Sequence, residues 1–133
     1  MSWNNVIPIE LIEGGVHSTA PIEEVPEIVL SHWIVFEVSS LSGIDGLKDH
    51  HFVGWNVAEG EGRVSSKIVY WDDKTRIAKT KSGRTYQLQG DSGMNMDALY
   101  VWDTWMRINK IEDYKDVSEL YEKNTTILPE ESW

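Results

Sequence analysis

The sequence predicts an α+β domain: an antiparallel β-meander sheet, or half-open barrel, covered by one main C-terminal helix. Two observations carry this. Between residues 27 and 89, short segments rich in β-branched and aromatic residues alternate with Gly- and Asp-containing turns. After them comes one segment with helical periodicity, from about 95 to 109. No strand–helix–strand alternation is present to suggest a parallel sheet.

Residues 1–26 read as irregular, punctuated by Gly14, Gly15, Pro21 and Pro26, with one short strand at 6–12. PEIVLSHWIVFEVSS is the clearest strand, with Ile28, Leu30, Ile34, Phe36 and Val38 expected on one face. His32, on that apolar face, reads as a buried core histidine. The loop LSGIDGLKDH follows, and then HFVGWNVA, in which Val53, Trp55 and Val57 alternate. RVSSKIVYW, TRIAKTK and RTYQLQ read as three strands of a meander. Ser82-Gly83 is their second turn, because glycine supplies the positive φ that tight hairpins need. That turn would set Thr80 against Thr85, Lys79 against Tyr86 and Ile77 against Leu88.

In MDALYVWDTWMRINK, Ala98, Val101, Trp102, Trp105 and Ile108 recur at three- and four-residue steps, a stripe wide enough to cover a sheet. Asp97 near its start and Arg107 and Lys110 near its end suit the helix dipole. Asp116-Val-Ser-Glu119 has the spacing of a capping box, opening a short turn with Leu120 and Tyr121 inward. The tail from 124 to 133 reads as frayed. With 133 residues, the chain fits a single domain with a core of its own.

Composition narrows the function. There is no cysteine, which removes disulfides, thiol catalysis and Cys-containing zinc sites. No apolar run is long enough to span a bilayer, and MSWNNVIPIELIEGG lacks the basic start of a signal peptide. A cytoplasmic location is therefore expected. The net charge of −10 is unevenly placed. Residues 1–30 hold five glutamates and no base, and residues 112–133 hold seven acids against Lys115 and Lys123. Residues 63–89 hold seven bases against Asp72 and Asp73. Either the ends fold back on the basic middle, or the molecule carries surfaces of opposite sign that select a charged partner.

Gly90-Asp91-Ser92-Gly93 is similar to the nucleophile segment of trypsin-like serine proteases, and His32, Asp49 and Ser92 follow in the His–Asp–Ser order. In that family a strand follows the serine. Here Met94-Asn95-Met96-Asp97 leads into a helix, so the tetrapeptide reads as a strand-to-helix joint, with Asp91 or Ser92 as the cap. Asp49-His50-His51 supplies metal-ligand chemistry, but neighbours on a strand point to opposite faces and no third ligand lies at helical spacing, which leaves a solvated loop. No glycine loop to cradle phosphate is present, and Gly60 and Gly62 lie between acids. No cofactor or metal is expected.

Seven tryptophans remain to be placed. Trp33, Trp55, Trp102 and Trp105 suit a core, whereas Trp3, Trp71 and Trp133 are harder to bury. Exposed aromatics beside Arg and Lys serve as protein-binding anchors or as stacking platforms for single-stranded nucleic acid. The candidate binding residues are therefore Trp71, Arg76, Lys79, Lys81 and Arg84. The letters Ser82-Gly83-Arg84, Tyr86, Leu88, Gly90, Asp97-Ala98, Tyr100-Val101-Trp102, Trp105 and Asn109 resemble a pattern in small uncharacterised proteins of phages, prophages and other mobile elements. The resemblance covers about a quarter of the chain. It implies an accessory protein that binds a host protein complex, for example by occupying its nucleic-acid site. The expected function is thus a non-enzymatic binding protein with a protein partner. The alternatives are a single-stranded nucleic-acid-binding module using the basic hairpin 63–89 and a small metal-dependent hydrolase.

Overall fold

β1 (Ile28–Ser39) is the longest strand, and the other elements are arranged around it. In this computed structural model, residues 26–122 are described. The readings of 1–25 as irregular, of a strand at 6–12 and of a frayed tail lie outside them, as do Trp3, His17 and Trp133. β2 (Lys48–Asn56) runs antiparallel along one edge of β1, and β3 (Glu61–Val64) lies beyond it. β4 (Ile68–Asp72), β5 (Ile77–Thr80) and β6 (Thr85–Leu88) form a second antiparallel meander.

The two meanders join through a parallel pairing of Ile28–Leu30 with Tyr86–Leu88. Farther along the same edge of β1, β7 (Lys115–Asp116) pairs with Phe36 and Glu37. The sheet is therefore mixed and open, in the order β3-β2-β1-β6-β5-β4. This corrects the antiparallel expectation for one pairing. The near-continuous apolar run of β1 belongs to a central strand, paired on both edges and covered on both faces.

A bulge divides that run between two cores. Ser31 pairs with Trp55 but Ile34 pairs with Val53, so three steps on β1 match two on β2. His32 takes up the extra residue at φ +46°. Its ring is exposed and meets the Ser31 hydroxyl at 3.3 Å, so it is no core histidine. Side-chain parity changes at this point. Ile28, Leu30, Trp33 and Val35 enter one core, whereas Ile34, Phe36 and Val38 enter the other, so the single predicted face is split. Gly54 lies against the bulge, where a Cβ would come within 3.0 Å of Trp33 Cα and Cβ.

The first core gathers Trp33, Phe52, Trp71, Tyr86 and Tyr121 with Ile68, Ala78 and Leu88. A 3-10 helix, Ser118–Tyr121, closes it. Asp116 Oδ1 accepts from the Ser118 N–H at 2.8 Å, but the N-cap is Val117, without a side-chain cap bond, so the expected capping box does not form. Tyr121 is buried as expected, but Leu120 is exposed.

The second core lies under α1 (Met96–Asn109), which packs on β2 and β3. Ala98 and Trp102 are buried, Val101 and Trp105 half-buried, and Ile108 exposed, so the contact stripe is narrower than the periodicity suggested. Gly62 sets the approach: a Cβ there would stand 2.5 Å from the Ala98 nitrogen. The helix cap is Asn95, whose Oδ1 accepts from the Ala98 N–H at 2.9 Å, so neither Asp91 nor Ser92 fills that role.

The β5–β6 hairpin is one residue out from the expected register. Lys79 pairs with Thr85, Ala78 with Tyr86 and Ile77 with Gln87. The loop is longer than two residues, closed by Thr80 N–H to Arg84 O at 3.0 Å, with Gly83 at φ +92°. Trp71, Ala78 and Tyr86 thereby line up across three strands in the first core. Lys79 has no need to cross that core with its stem.

Candidate binding site

Asp49 and His51 are two residues apart on β2, so both face the α1 side of the sheet. They belong to the strand and are 3% exposed each, not part of a solvated loop. Together with Lys67, Lys81, Trp105 and Asn109 they line a cavity of about 330 Å³. It lies where the β1–β2 loop, the β3–β4 connection, the hairpin loop and the end of α1 converge.

Two of the lining residues, Asp49 and His51, are almost fully buried. His51 Nδ1–H donates to the Ser65 carbonyl at 2.8 Å, which fixes the tautomer and leaves Nε2 as a lone pair. Burial pushes the His51 pKa below its ordinary value, opposed by the Ser65 bond and by Asp49, so the ring is neutral near pH 7. Asp49 Oδ2 accepts from the Leu41 N–H at 3.4 Å. Asp49 Oδ1 and His51 Nε2 are both buried without a hydrogen-bond partner among the described residues. Both atoms are closed to solvent, and unpaired acceptors of this kind are costly to bury.

The rim is cationic. Lys81 is exposed on the hairpin loop, and Lys67 is half-buried. Burial, and then the neighbouring Lys81 charge, lower the Lys67 pKa. Trp105 supplies an aromatic wall, held by Trp102 stacked at 5.0 Å between centroids and by the His51 ring at 4.6 Å.

His50 turns to the opposite face, as strand alternation requires. Its Nε2 meets Glu37 at 3.0 Å and its Nδ1 meets the Tyr121 hydroxyl at 2.6 Å. Burial, then Glu37, holds the Tyr121 pKa well above its ordinary value, so this phenol keeps its proton. Among the described residues, no group of three His, Asp or Glu side chains is placed to hold a metal ion.

Of the five candidate binding residues, Lys81 lines the cavity, and Lys79 and Arg84 belong to the same hairpin without being part of the lining. Trp71 is 3% exposed and packs edge-on against Tyr121, so it is a core residue. Arg76 also has a structural role. It sits at φ +61°, its guanidinium lies 5.4 Å from the Trp33 ring, and it donates to the Tyr121 carbonyl at 2.9 Å. The sequence reading missed Asp49, His51, Lys67 and Trp105 as a group. The i,i+2 spacing of Asp49 and His51 on a strand was the available signal.

The protease-like tetrapeptide forms a joint. Gly90 takes φ +71°, Ser92 bridges to Trp33, and the Gly93 N–H donates to the Trp33 carbonyl at 2.9 Å. The Ser92 hydroxyl donates to Glu122. His32 lies beside Gly93 with its ring on Ser31, while Asp49 pairs with Val38, six residues farther along β1. His32, Asp49 and Ser92 are not brought together. Ser92→Ala should therefore lower stability by about 1.5–3 kcal/mol, the value of a hydrogen bond to a charged group. A denaturant melt measures the loss, and a fluorophosphonate should leave the wild-type serine unlabelled.

No protein-family model, curated protein or solved structure matches the chain. No helix among the described residues is long and apolar enough to cross a membrane.

Proposed function

We propose that this is a non-enzymatic binding protein whose recognition surface is the basic hairpin rim around the cavity, and that it engages an acidic protein surface. The observation that carries this is the placement of Lys81 beside the half-buried Lys67 at one cavity mouth. Lys81 and Arg84 stand exposed on the same hairpin loop, and their like charges favour an anionic group from a partner. The resemblance of residues 82–110 to small proteins of mobile elements points to a host protein complex as the kind of partner. A strand-binding platform has less support, because Tyr70, Trp71 and Tyr86, the aromatics it would need, are all buried.

Changing Lys79, Lys81 and Arg84 to Glu tests the proposal. Lys81 and Arg84 are exposed, so the fold should persist. Wild-type protein should bind a fluorescent oligo-glutamate peptide with an affinity that falls as salt rises, and the triple variant should bind at least about tenfold more weakly at low salt. Equal binding by both proteins would overturn the rim as the recognition surface. Stronger retention of random single-stranded DNA than of the peptide would favour nucleic acid.

A further inference from the structure

We propose that the outer face of α1 is a second docking surface, for a helical segment of a partner protein that sets apolar side chains beside Lys and Arg. This goes beyond the acidic-partner reading and uses none of the residues of the hairpin rim.

Two properties meet on one stretch of chain. Among the described residues nine large apolar side chains are exposed, and six of them fall within 90–122: Met94, Met96, Tyr100, Ile108, Tyr114 and Leu120. That stretch is about a third of the described chain, so an even scatter would place about three there. The same stretch holds eight acids against Arg107, Lys110 and Lys115, a net −5, whereas residues 63–89 carry +5. On α1 the two properties share a face. Ala98 and Trp102 are buried against the sheet, and Met96 and Tyr100, one turn apart, stand on the opposite side at 72% exposed each. Asp97, Asp103 and Arg107 are exposed around them. Arg107 pairs with Asp103 at 3.4 Å, which leaves the face net negative through Asp97.

These features select the occupant. Side chains at i and i+4 form a ridge that fits the groove of another helix. The unbranched thioether of Met96 adapts to varied apolar partners, and a tyrosine ring is a frequent anchor of protein interfaces. The acidic surround attracts Lys and Arg and repels acidic segments, nucleic acid and anionic lipid. A second copy of this chain joined face to face is disfavoured, because a two-fold contact sets the same acidic patch against itself.

Fluorescence anisotropy with the whole chain tests the proposal. The probe is a labelled Leu/Lys peptide of about 18 residues with its leucines on one helical face, and the control replaces every Leu by Ser at the same charge. The chain should bind the Leu/Lys peptide at least about tenfold more tightly than the control, the gain expected of buried apolar anchors. Met96→Ala with Tyr100→Ala, at exposed positions and with the best helix former, should leave the circular dichroism unchanged and weaken the Leu/Lys peptide by about tenfold. Asp97→Asn with Asp103→Asn leaves Arg107 as the net charge of the face, so binding at low salt should fall by about tenfold and depend less on salt. This second variant keeps the test decisive if the first does not fold. The variant with Lys79, Lys81 and Arg84 changed to Glu should bind the Leu/Lys peptide no more weakly than wild type, so the rim reading and this one fail separately. Equal binding of the two peptides overturns the proposal, as does affinity for the Leu/Lys peptide unchanged in either α1 variant. A wild-type dimer in sedimentation that dissociates in the Met96→Ala, Tyr100→Ala variant would also overturn it, by making a second copy the occupant of this face.

Discussion

Trp33→Ala is expected to lower the free energy of unfolding by about 3–5 kcal/mol, the range for deleting a fully buried indole. Trp33 has no exposed surface and sits in the first core with Val35, Leu30 and Tyr86. The ring does more than fill volume. Its Nε1–H donates to the Gly90 carbonyl at 3.1 Å, and the Arg76 guanidinium lies over its face. Alanine would leave a cavity, an unpaired carbonyl and a half-buried guanidinium whose pKa burial already lowers. Trp33→Phe keeps most of the apolar volume and loses the N–H, so it should cost clearly less. Urea denaturation followed by far-ultraviolet circular dichroism would separate the two, with a fall in midpoint at nearly constant slope. An alanine variant as stable as wild type would show that Trp33 does not anchor this core.

The second large effect is expected at Gly62. A Cβ at this position would come within 2.5 Å of the Ala98 nitrogen and of the Asp97 carbonyl carbon, both in helix backbone that no rotamer change can move. Gly62→Val must push α1 away from β3, opening the packing of Trp102 and Val53 beneath it. Overpacking of this kind costs about 1–3 kcal/mol or more, and the rigid backbone on the far side places this case at the upper end. Gly62→Ala should follow the same direction with a smaller loss. Thermal unfolding would rank the three proteins, and a valine variant melting with wild type would contradict the close approach of helix and strand.

Much of the architecture was legible in the sequence because it rests on local signals. The helix boundaries follow from periodicity, and the strand segments follow from β-branched runs between turns. What escaped depends on contacts between distant residues. The bulge at His32 inserts one residue, which reverses the facing of everything after it, and no local feature of SHWIVF marks it. The parallel pairing of β1 with β6 depends on which edge remains open once β2 has docked. The hairpin register moved by one because the loop closes from Thr80 to Arg84, not around Ser82-Gly83 alone. Trp71 looked exposed beside a charged turn, but its strand lies over the first core. At the candidate site, the basic hairpin was visible as composition. The rest of the site was not, since Asp49 and His51 meet Lys67, Lys81 and Trp105 only after four separate segments have folded together.

The parallel seam between β1 and β6 also has a kinetic consequence. Each meander is built from neighbours in sequence, so its turns close over short stretches of chain. The seam joins Ile28 to Tyr86 and Leu30 to Leu88, across more than half of the described chain. Contacts of such separation bear a large loop-closure entropy and form slowly. The first core draws Trp33 and Phe52 from one meander and Trp71 and Tyr86 from the other, so neither half can complete it alone. Both halves must wait for the seam. The seam is therefore expected to form after the two meanders, and a chain emerging from the ribosome leaves this part of the β1 edge unpaired until Tyr86 arrives.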